Sequence, residues 1–464
     1  MRFAVVTGIL GRLLQILSGL LLVPVPLALA YGGGSGGSAV FLSTALLSLA
    51  AGTLLQRAGK IDEPSLSESV YITVLSWILV SSLAAIPLST GLSPGKALFE
   101  AVSGLTTTGI SAAADPALFS PAVLFWRSLI QWIGGLGILT FFVAVVRESG
   151  AVSRKLFSAE AHKTDPGSIR PSLLNSVKSL WKVYGFLTSV LIGAYVVAGM
   201  GVFDAVLHSL TTLSTGGFST GSMSLGAYGA PVQAVSAFFM LLGGINFVIL
   251  YRLLRADTRT LGSEFRMYVL VFAGVSALGA LSSGSVLDSI FTSASLVSST
   301  GYATVGIESF SAFMQLLFLG VLFVGGSVGS TAGGLKIFRV RVLLELLRSR
   351  VRSFSLPDSA LNKPVVDGKI VESSTLRTVA ALLFSWLAVC FGTAAVVLSQ
   401  EPVSIQQALS LAVSSVGNMG PSLASSEAVL SLSPVSRFFL AVGMIAGRLE
   451  MIPVLAIFNR KLLE

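Results

Sequence analysis

Charge, histidine and cysteine are all scarce in this chain. Asp, Glu, Lys and Arg make up 11% of its 464 residues, less than half of the roughly 25% usual in soluble domains. So little charge cannot clothe a water-soluble fold. Two histidines and one cysteine exclude a zinc-ligand cluster, a His-based catalytic set and an intrachain disulfide framework. Cys390 lies in an apolar stretch and reads as a buried thiol in helix packing. No G-x-x-x-x-G-K-[ST] phosphate loop occurs, so an enzyme has little to stand on.

Apolar length is abundant. Hydrophobic residues reach 53%, mean hydropathy is +0.86, and apolar runs of twenty or more residues recur from end to end, which describes one membrane domain. The first run, from Phe3 to Ala30, is too long for the ~7–15 residues of a signal core and is followed by a second, so it reads as a retained span. Ten spanning helices are expected, at 3–30, 38–56, 68–90, 120–146, 176–200, 230–253, 265–282, 311–346, 374–398 and 434–459.

The net charge of +9 has an ordinary source. Arg57 and Lys60, then Arg147, Arg154, Lys155 and Lys163, then Arg252, Arg255, Arg259 and Arg266, then the stretch from Lys336 to Lys369, and finally Arg460 and Lys461 all follow even-numbered spans. Those loops are therefore cytoplasmic, both termini lie inside, and no nucleic-acid partner is needed to explain the excess. The opposite loops hold Glu100, Asp115, Asp204, Asp288, Glu308, Glu401 and Glu427, with Lys96 as the clear basic exception.

Four of the outer connections carry a short apolar segment that runs into a small, glycine-containing stretch. The segments are 97–105, 205–213, 287–297 and 405–413. The stretches that follow are Thr106-Thr107-Thr108-Gly109-Ile110, Leu213-Ser214-Thr215-Gly216-Gly217, Ser298-Ser299-Thr300-Gly301-Tyr302 and Val416-Gly417-Asn418-Met419-Gly420. This is an internal repeat of helix, half-helix, glycine turn and helix. It divides the chain into an N-terminal helix pair (1–60) and four pore units (61–165, 166–260, 261–365 and 366–464). Non-helical backbone at membrane depth must line water or an ion, because an unsatisfied carbonyl in lipid costs several kcal/mol. A half-helix ending at the turn aims its partly negative C-terminus at the centre, and the free carbonyls beyond it favour a cation. A single Thr-Thr-Gly or Ser-Thr-Gly string is most often a helix cap or close packing; four at equivalent positions point to one pore.

The longer motifs resemble the TrkH/TrkG/KtrB superfamily of potassium transporters, and TrkH most. ALFEAVSGLTTTG at 97–109, WRSLIQWIGGLGIL at 126–139, HSLTTLSTGGFST at 208–220, GGIN at 243–246, SEFRMY at 263–268, GGSVGSTAGGLK at 325–336, NMGPSL at 418–423 and GRLE at 447–450 follow the TrkH order over nearly the whole chain. The resemblance implies an all-α polytopic protein of the cell inner membrane that takes up K+ through a four-loop filter. It also implies a homodimer in lipid and a cytoplasmic TrkA-like nucleotide-binding subunit that controls opening. Its filter falls on Thr107, Thr108 and Gly109; Ser214, Thr215 and Gly216; Ser299, Thr300 and Gly301; and Asn418, Met419 and Gly420. In the related plant transporters a serine at the first glycine accompanies sodium preference, so Gly109 argues for potassium. The fourth strand departs most, having no hydroxyl-glycine pair.

Gly325, Gly326, Gly329, Gly333 and Gly334, with Ser327, Ser330 and Thr331 among them, put more glycine into the eighth span than a continuous helix tolerates at ~1 kcal/mol each. Two readings stand here, a break or close packing of helices. The resemblance favours the break, with 325–335 as a gate below the filter and Lys336 near its cytoplasmic end. Arg448 lies well inside the tenth span, where an arginine costs ~2.5 kcal/mol or more unless paired or wet. It is either a structural ion-pair member, with Glu450 or a carbonyl as partner, or an electrostatic barrier under the filter that touches the gate. Glu100 reads as a brace for the first half-helix or an attractor of cations, Arg127 and Arg437 as snorkelling side chains at outer helix ends, and His208 as a satisfied half-helix residue. The competing function is a sodium- or proton-coupled cation symporter, which would be built from two inverted repeats instead of four same-sense units. A non-conducting assembly subunit would have no need of four intact glycines.

Overall fold

Among the described residues six helical stretches are long and apolar enough to cross a membrane: Phe3–Ala30, with a turn at 22–24, Gly37–Ala58, Leu66–Leu88, Val177–Val197, Ser263–Ser282 and Ser373–Gln400. The computed structural model describes residues 1–31, 34–137, 173–255, 262–283, 285–355 and 362–459. Among these residues the structure is helical apart from loops and one small hairpin, Val365–Val366 paired antiparallel with Lys369–Ile370. Arg147, Arg154, Lys155, His162, Lys163, Arg259, Arg460 and Lys461 lie outside the described residues, as does the part of the expected fourth span beyond Gly137.

The other four expected spans are not single helices. Pro121–Leu136, Ala230–Gly243, Ala312–Val324 and Pro434–Arg448 hold 16, 14, 13 and 15 residues, about 20–24 Å at 1.5 Å per residue against ~30 Å of hydrocarbon. Only the eighth span is expected to break, yet all four stop short of a full crossing. Their starts are well specified. Ser120, Ser311 and Ser433 cap backbone N–H groups of their helices, and proline follows the cap in three of the four. Three of their ends are glycine. Gly137 and Gly325 take φ of 93° and 68°, a region open to glycine at little cost. After Gly243 the chain bends by 109° into Phe247–Leu253, whose N-terminus Asn246 caps through Val248 N. Beyond Arg448 the turn uses Glu450 and Met451 at positive φ.

Between each long helix and its broken partner sits a short helix: Pro94–Leu105, Val202–Leu213, Val286–Val297 and Ile405–Gly417. Each spans only about 18–20 Å and is buried over its last two turns. That burial suits their content, since Ala, Ser, Thr and Gly let neighbouring backbones close in.

The N-terminal pair, Phe3–Leu21 and Gly34–Ala58, packs through glycine. A Cβ on Gly8 would stand 2.5 Å from Lys60 O, one on Gly11 would stand 2.6 Å from Gly52 O, and one on Gly52 would stand 2.7 Å from Gly11 O. Polar groups close the seam: Ser48 Oγ donates to Leu14 O and Gln15 Nε2 to Gln56 Oε1, both at 2.7 Å. Arg2 ties the pair to the third span, donating from its backbone N to Glu68 Oε1 at 2.8 Å while Glu68 completes a capping box with Ser65. Cys390 is a buried free thiol. Because the atoms met by Gly8 and Gly52 are backbone, leucine at either position should cost about 1–3 kcal/mol and lower the thermal midpoint in detergent. Leucine at Gly19, which meets nothing within 4 Å, is the control and should leave it unmoved.

Candidate functional site

The four short helices end on one common pattern of hydrogen bonds. In each, the residue that leaves the helix turns its N–H back to a carbonyl three residues earlier: Thr107 to Gly104, Thr215 to Thr212, Ser299 to Leu296 and Asn418 to Ser415. These four residues have φ of 56°, 54°, 57° and 51°. The next N–H reaches back five residues, from Thr108 to Ser103, Gly216 to Thr211, Thr300 to Ser295 and Met419 to Ser414. Then comes a glycine at positive φ: Gly109, Gly217, Gly301 and Gly420, at 81°, 74°, 89° and 94°. The second strand is therefore Thr215-Gly216-Gly217. The sequence register, Ser214 to Gly216, is one residue early, because Ser214 still has helical backbone as the cap of its helix.

This register closes a ring. A Cβ built on Gly109 would collide with Gly216 O, one on Gly217 with Thr300 O, one on Gly301 would lie 2.9 Å from Met419 O, and one on Gly420 would lie 2.7 Å from Thr108 O. Each strand's glycine thus meets a carbonyl oxygen of the next strand, first to second to third to fourth and back to the first. No side chain larger than hydrogen fits at the four glycines. Left-handed backbone at Thr107, Thr215 and Ser299 is costly for such residues, of order 1–3 kcal/mol each, and persists because the ring determines it from all sides. Asn418 takes the same conformation more readily, which gives the departure of the fourth strand a conformational reason.

Behind the ring stand polar braces. Thr108 Oγ1 meets Thr106 Oγ1 at 2.8 Å and receives Asn418 Nδ2 at 2.9 Å; Thr300 Oγ1 meets Ser298 Oγ at 2.7 Å. Tyr302 reaches from the third strand to Thr211 of the second helix, hydroxyl to hydroxyl at 2.5 Å. His208 is fully buried and satisfied by Asp204 O and Ser219 Oγ. Arg127 corrects the snorkelling expectation: it is 2% exposed, and its Nε lies 2.9 Å from Glu100 Oε1. Glu100, fully buried, also receives Ser111 Oγ and Ala112 N. Arg127 donates onward to Ser219 O at 3.1 Å and stacks over Phe218 at 4.0 Å. One buried ion pair therefore joins the exits of the first two strands.

Directly below the ring, residues 325–336 leave the helix and Ile337–Ser353 resumes it, with Lys336 at φ 76° as its cap. The crossing touches the base of three strands. Thr331 Oγ1 donates to Leu213 O at 3.0 Å, Gly333 N to Ser299 Oγ at 2.6 Å, and Gly334 N to Gly417 O at 2.7 Å. Arg448 supplies the link to the remaining strand. Its Nη1 donates to Thr107 Oγ1 and to Thr331 O, both at 3.1 Å, and its Nη2 to Gly134 O and Gly135 O at 2.5 Å. Glu450 accepts Arg339 Nη2 at 2.5 Å, and Lys336 Nζ donates to Ala332 O. A strip of charge thus lies under a ring of carbonyls.

Three contributors went unread in the sequence. Gln131, an amide in an apolar helix, donates to Gly216 O. Glu264 accepts Val328 N of the crossing at 2.7 Å, and Asp367, at the tip of the small hairpin, accepts Ser263 N at 3.1 Å. Polarity inside an apolar run was the available signal for Gln131; the partners of the other two are 64 and 104 residues away.

The sequence profile of the TrkH family, described as cation transport protein, matches residues 37–268 and 263–464. Trk system potassium uptake protein TrkH of Escherichia coli K12 is 30% identical over 490 residues, covering 99% of both chains. Trk system potassium uptake protein TrkI of Halomonas elongata is 32% identical, over 84% of this chain and 82% of that protein. The crystal structure of the potassium transporter TrkH from Vibrio parahaemolyticus superposes over the full length of both chains with a TM-score of 0.87 at 25% identity. These relatives are transporters and not enzymes.

Leaving Glu100 buried without its cation makes Arg127→Ala expensive, about 3–5 kcal/mol. The double variant Glu100→Gln/Arg127→Met removes both charges and should lose less than the single one. Thermal unfolding in detergent checks the order of the two.

Proposed function

The chain belongs to the TrkH family of cation transport proteins, and on that premise we propose that it takes up K+ across the cytoplasmic membrane through the ring of Thr108, Gly216, Thr300 and Met419 carbonyls. The observation that carries this reading is the closed contact of four carbonyls with four glycines. Shedding water costs an ion of order 20 kcal/mol in an idealised low-dielectric medium, and only several converging oxygens can replace its shell. Four helix C-termini aimed at the same place add negative potential. The relatives named potassium uptake proteins support K+ as the cargo.

The four pore units at 61–165, 166–260, 261–365 and 366–464, with 1–60 outside them, account for the fourfold ring. The crossing at 325–335 is the gate, a reading supported by its hydrogen bonds to the bases of three strands. Arg448 is the electrostatic barrier and the clasp between gate and first strand. The basic loops support cytoplasmic termini, where a TrkA-like nucleotide-binding partner would act on a homodimer of this chain.

Rubidium uptake into proteoliposomes, with sodium as competitor, tests the proposal. Rb+ should enter and K+ should compete far better than Na+; no flux with or without the regulatory partner would refute it. A unit charge at roughly 7 Å and effective dielectric ~20 opposes a cation by about 2 kcal/mol. Arg448→Ala should therefore raise turnover by about tenfold or more, whereas Arg448→Lys, which keeps the charge, should rise much less. Shortening the crossing by several of residues 325–335 should likewise raise flux and loosen nucleotide control. Lower turnover in a well-folded Arg448→Ala protein would count against the barrier role.

A further inference from the structure

The second strand of the ring is built differently from its neighbours. Thr108 and Thr300 stand behind the first and third ring carbonyls, each anchored by its own hydroxyl, and Met419 fills the fourth position. At the equivalent place the second strand has Gly216, which has no side chain. Its backbone does not require glycine, because positive φ falls on Gly217 and not on Gly216. Space requires it. A Cβ on Gly216 would stand 2.5 Å from Gln131 Oε1 and 2.8 Å from its Nε2. Gln131 comes from the broken helix Pro121–Leu136 and is fully buried.

The amide does what a hydroxyl does elsewhere in the ring, and grips more of the strand. Nε2 donates to Gly216 O at 2.7 Å, and Oε1 accepts Phe218 N at 3.2 Å. These two bonds straddle Gly217, holding its left-handed turn from both sides. Among the described residues, the carbonyls of Thr108, Thr300 and Met419 receive no comparable side-chain bond. Gly216 O nevertheless faces Gly109 of the first strand, as each of the other three carbonyls faces a neighbouring glycine, so the grip keeps this oxygen in the ring. An amide buried in an apolar helix with all its reach spent on one strand is costly unless both ends are bonded, and here both are.

We infer that Gln131 is the positioning residue of the second strand: it stands in for the missing side chain at 216 and fixes the radius at which Gly216 O meets the ion, thereby setting discrimination between K+ and Na+. Discrimination by a carbonyl ring depends on the number and field of oxygens held around the ion. A strand released from its brace closes more easily around the smaller ion. The inference rests on the reading of the ring as a potassium filter.

The test compares rubidium and sodium fluxes in proteoliposomes of the full-length chain, alongside thermal unfolding in detergent. Gln131→Leu keeps the bulk and removes both bonds, and the selectivity ratio should fall about fivefold or more while the thermal midpoint stays within about 4 °C. Gly216→Ser alone collides with Gln131 and should impair flux. In Gln131→Ala/Gly216→Ser the serine enters the vacated space and rebuilds the hydroxyl of the first and third strands, so selectivity should recover beyond that of Gln131→Ala. Unchanged selectivity in Gln131→Leu, or no recovery in the double variant beside a folded Gln131→Ala, overturns the role of Gln131 alone. A wild-type protein that does not prefer rubidium to sodium overturns the filter reading and this inference together.

Discussion

Everything in this molecule is arranged around one steric contact, a carbonyl oxygen pressed against a glycine Cα and repeated four times around an axis. The contact leaves no room for a methyl group, so composition at four positions follows from it. It goes with left-handed backbone at the residue two before the glycine in every strand, at a cost that local sequence would not choose for Thr or Ser. That cost is offset only by a surround that cannot relax. Hence the buried hydroxyls, the Glu100–Arg127 pair and the amides of Gln131 and Asn418 lie immediately behind the ring, where polar groups would otherwise be out of place.

The same contact accounts for the four broken helices. A Cβ on Gly134 would collide with Leu105 O; one on Gly135 would lie 2.9 Å from Ser214 Cβ. Gly243 and Gly244 meet the ends of the second and third short helices in the same manner, and Gly447 meets Val416 O of the fourth. Three of the four broken helices therefore end against a converging helix terminus. A continuous helix with ordinary side chains would have to stand farther out, and the ring would not close. Glycine there serves approach first and chain reversal second.

Much of this was legible in the sequence. Scarce charge and recurrent apolar runs gave the membrane class, and six of the expected spans are helical at nearly the expected bounds, five of them unbroken and the first turning at 22–24. The small glycine stretches located the four turns. What could not be read was anything fixed across the axis. Ser214-Thr215-Gly216-Gly217 offers two glycines, and both registers satisfy the pattern; only the neighbouring strand's Thr300 carbonyl decides for Gly217. Three helix breaks were missed because glycine pairs in an apolar run serve packing as readily as interruption. Arg127 was misplaced because its partner is 27 residues away on another helix, a distance at which periodicity is silent.

The contacts beneath the ring bear on how the proposed filter and gate would communicate. The crossing at 325–336 does not merely lie under the strands; it spends its own hydrogen-bonding groups on them, Thr331 on the second, Gly333 on the third and Gly334 on the fourth. Arg448 bridges crossing and first strand with one nitrogen, while its other nitrogen holds the end of Pro121–Leu136. That helix also carries Gln131, the brace of the second strand. Withdrawing the crossing would therefore free donors and acceptors at the base of three strands at once, and Arg448, the link to the first, would lose one of its anchors. On the proposed reading, a gate bonded in this way could not open without altering the support of the ring above it. Ion selection and gating would then be two states of one hydrogen-bonded assembly, coupled through Pro121–Leu136 as well as through the crossing.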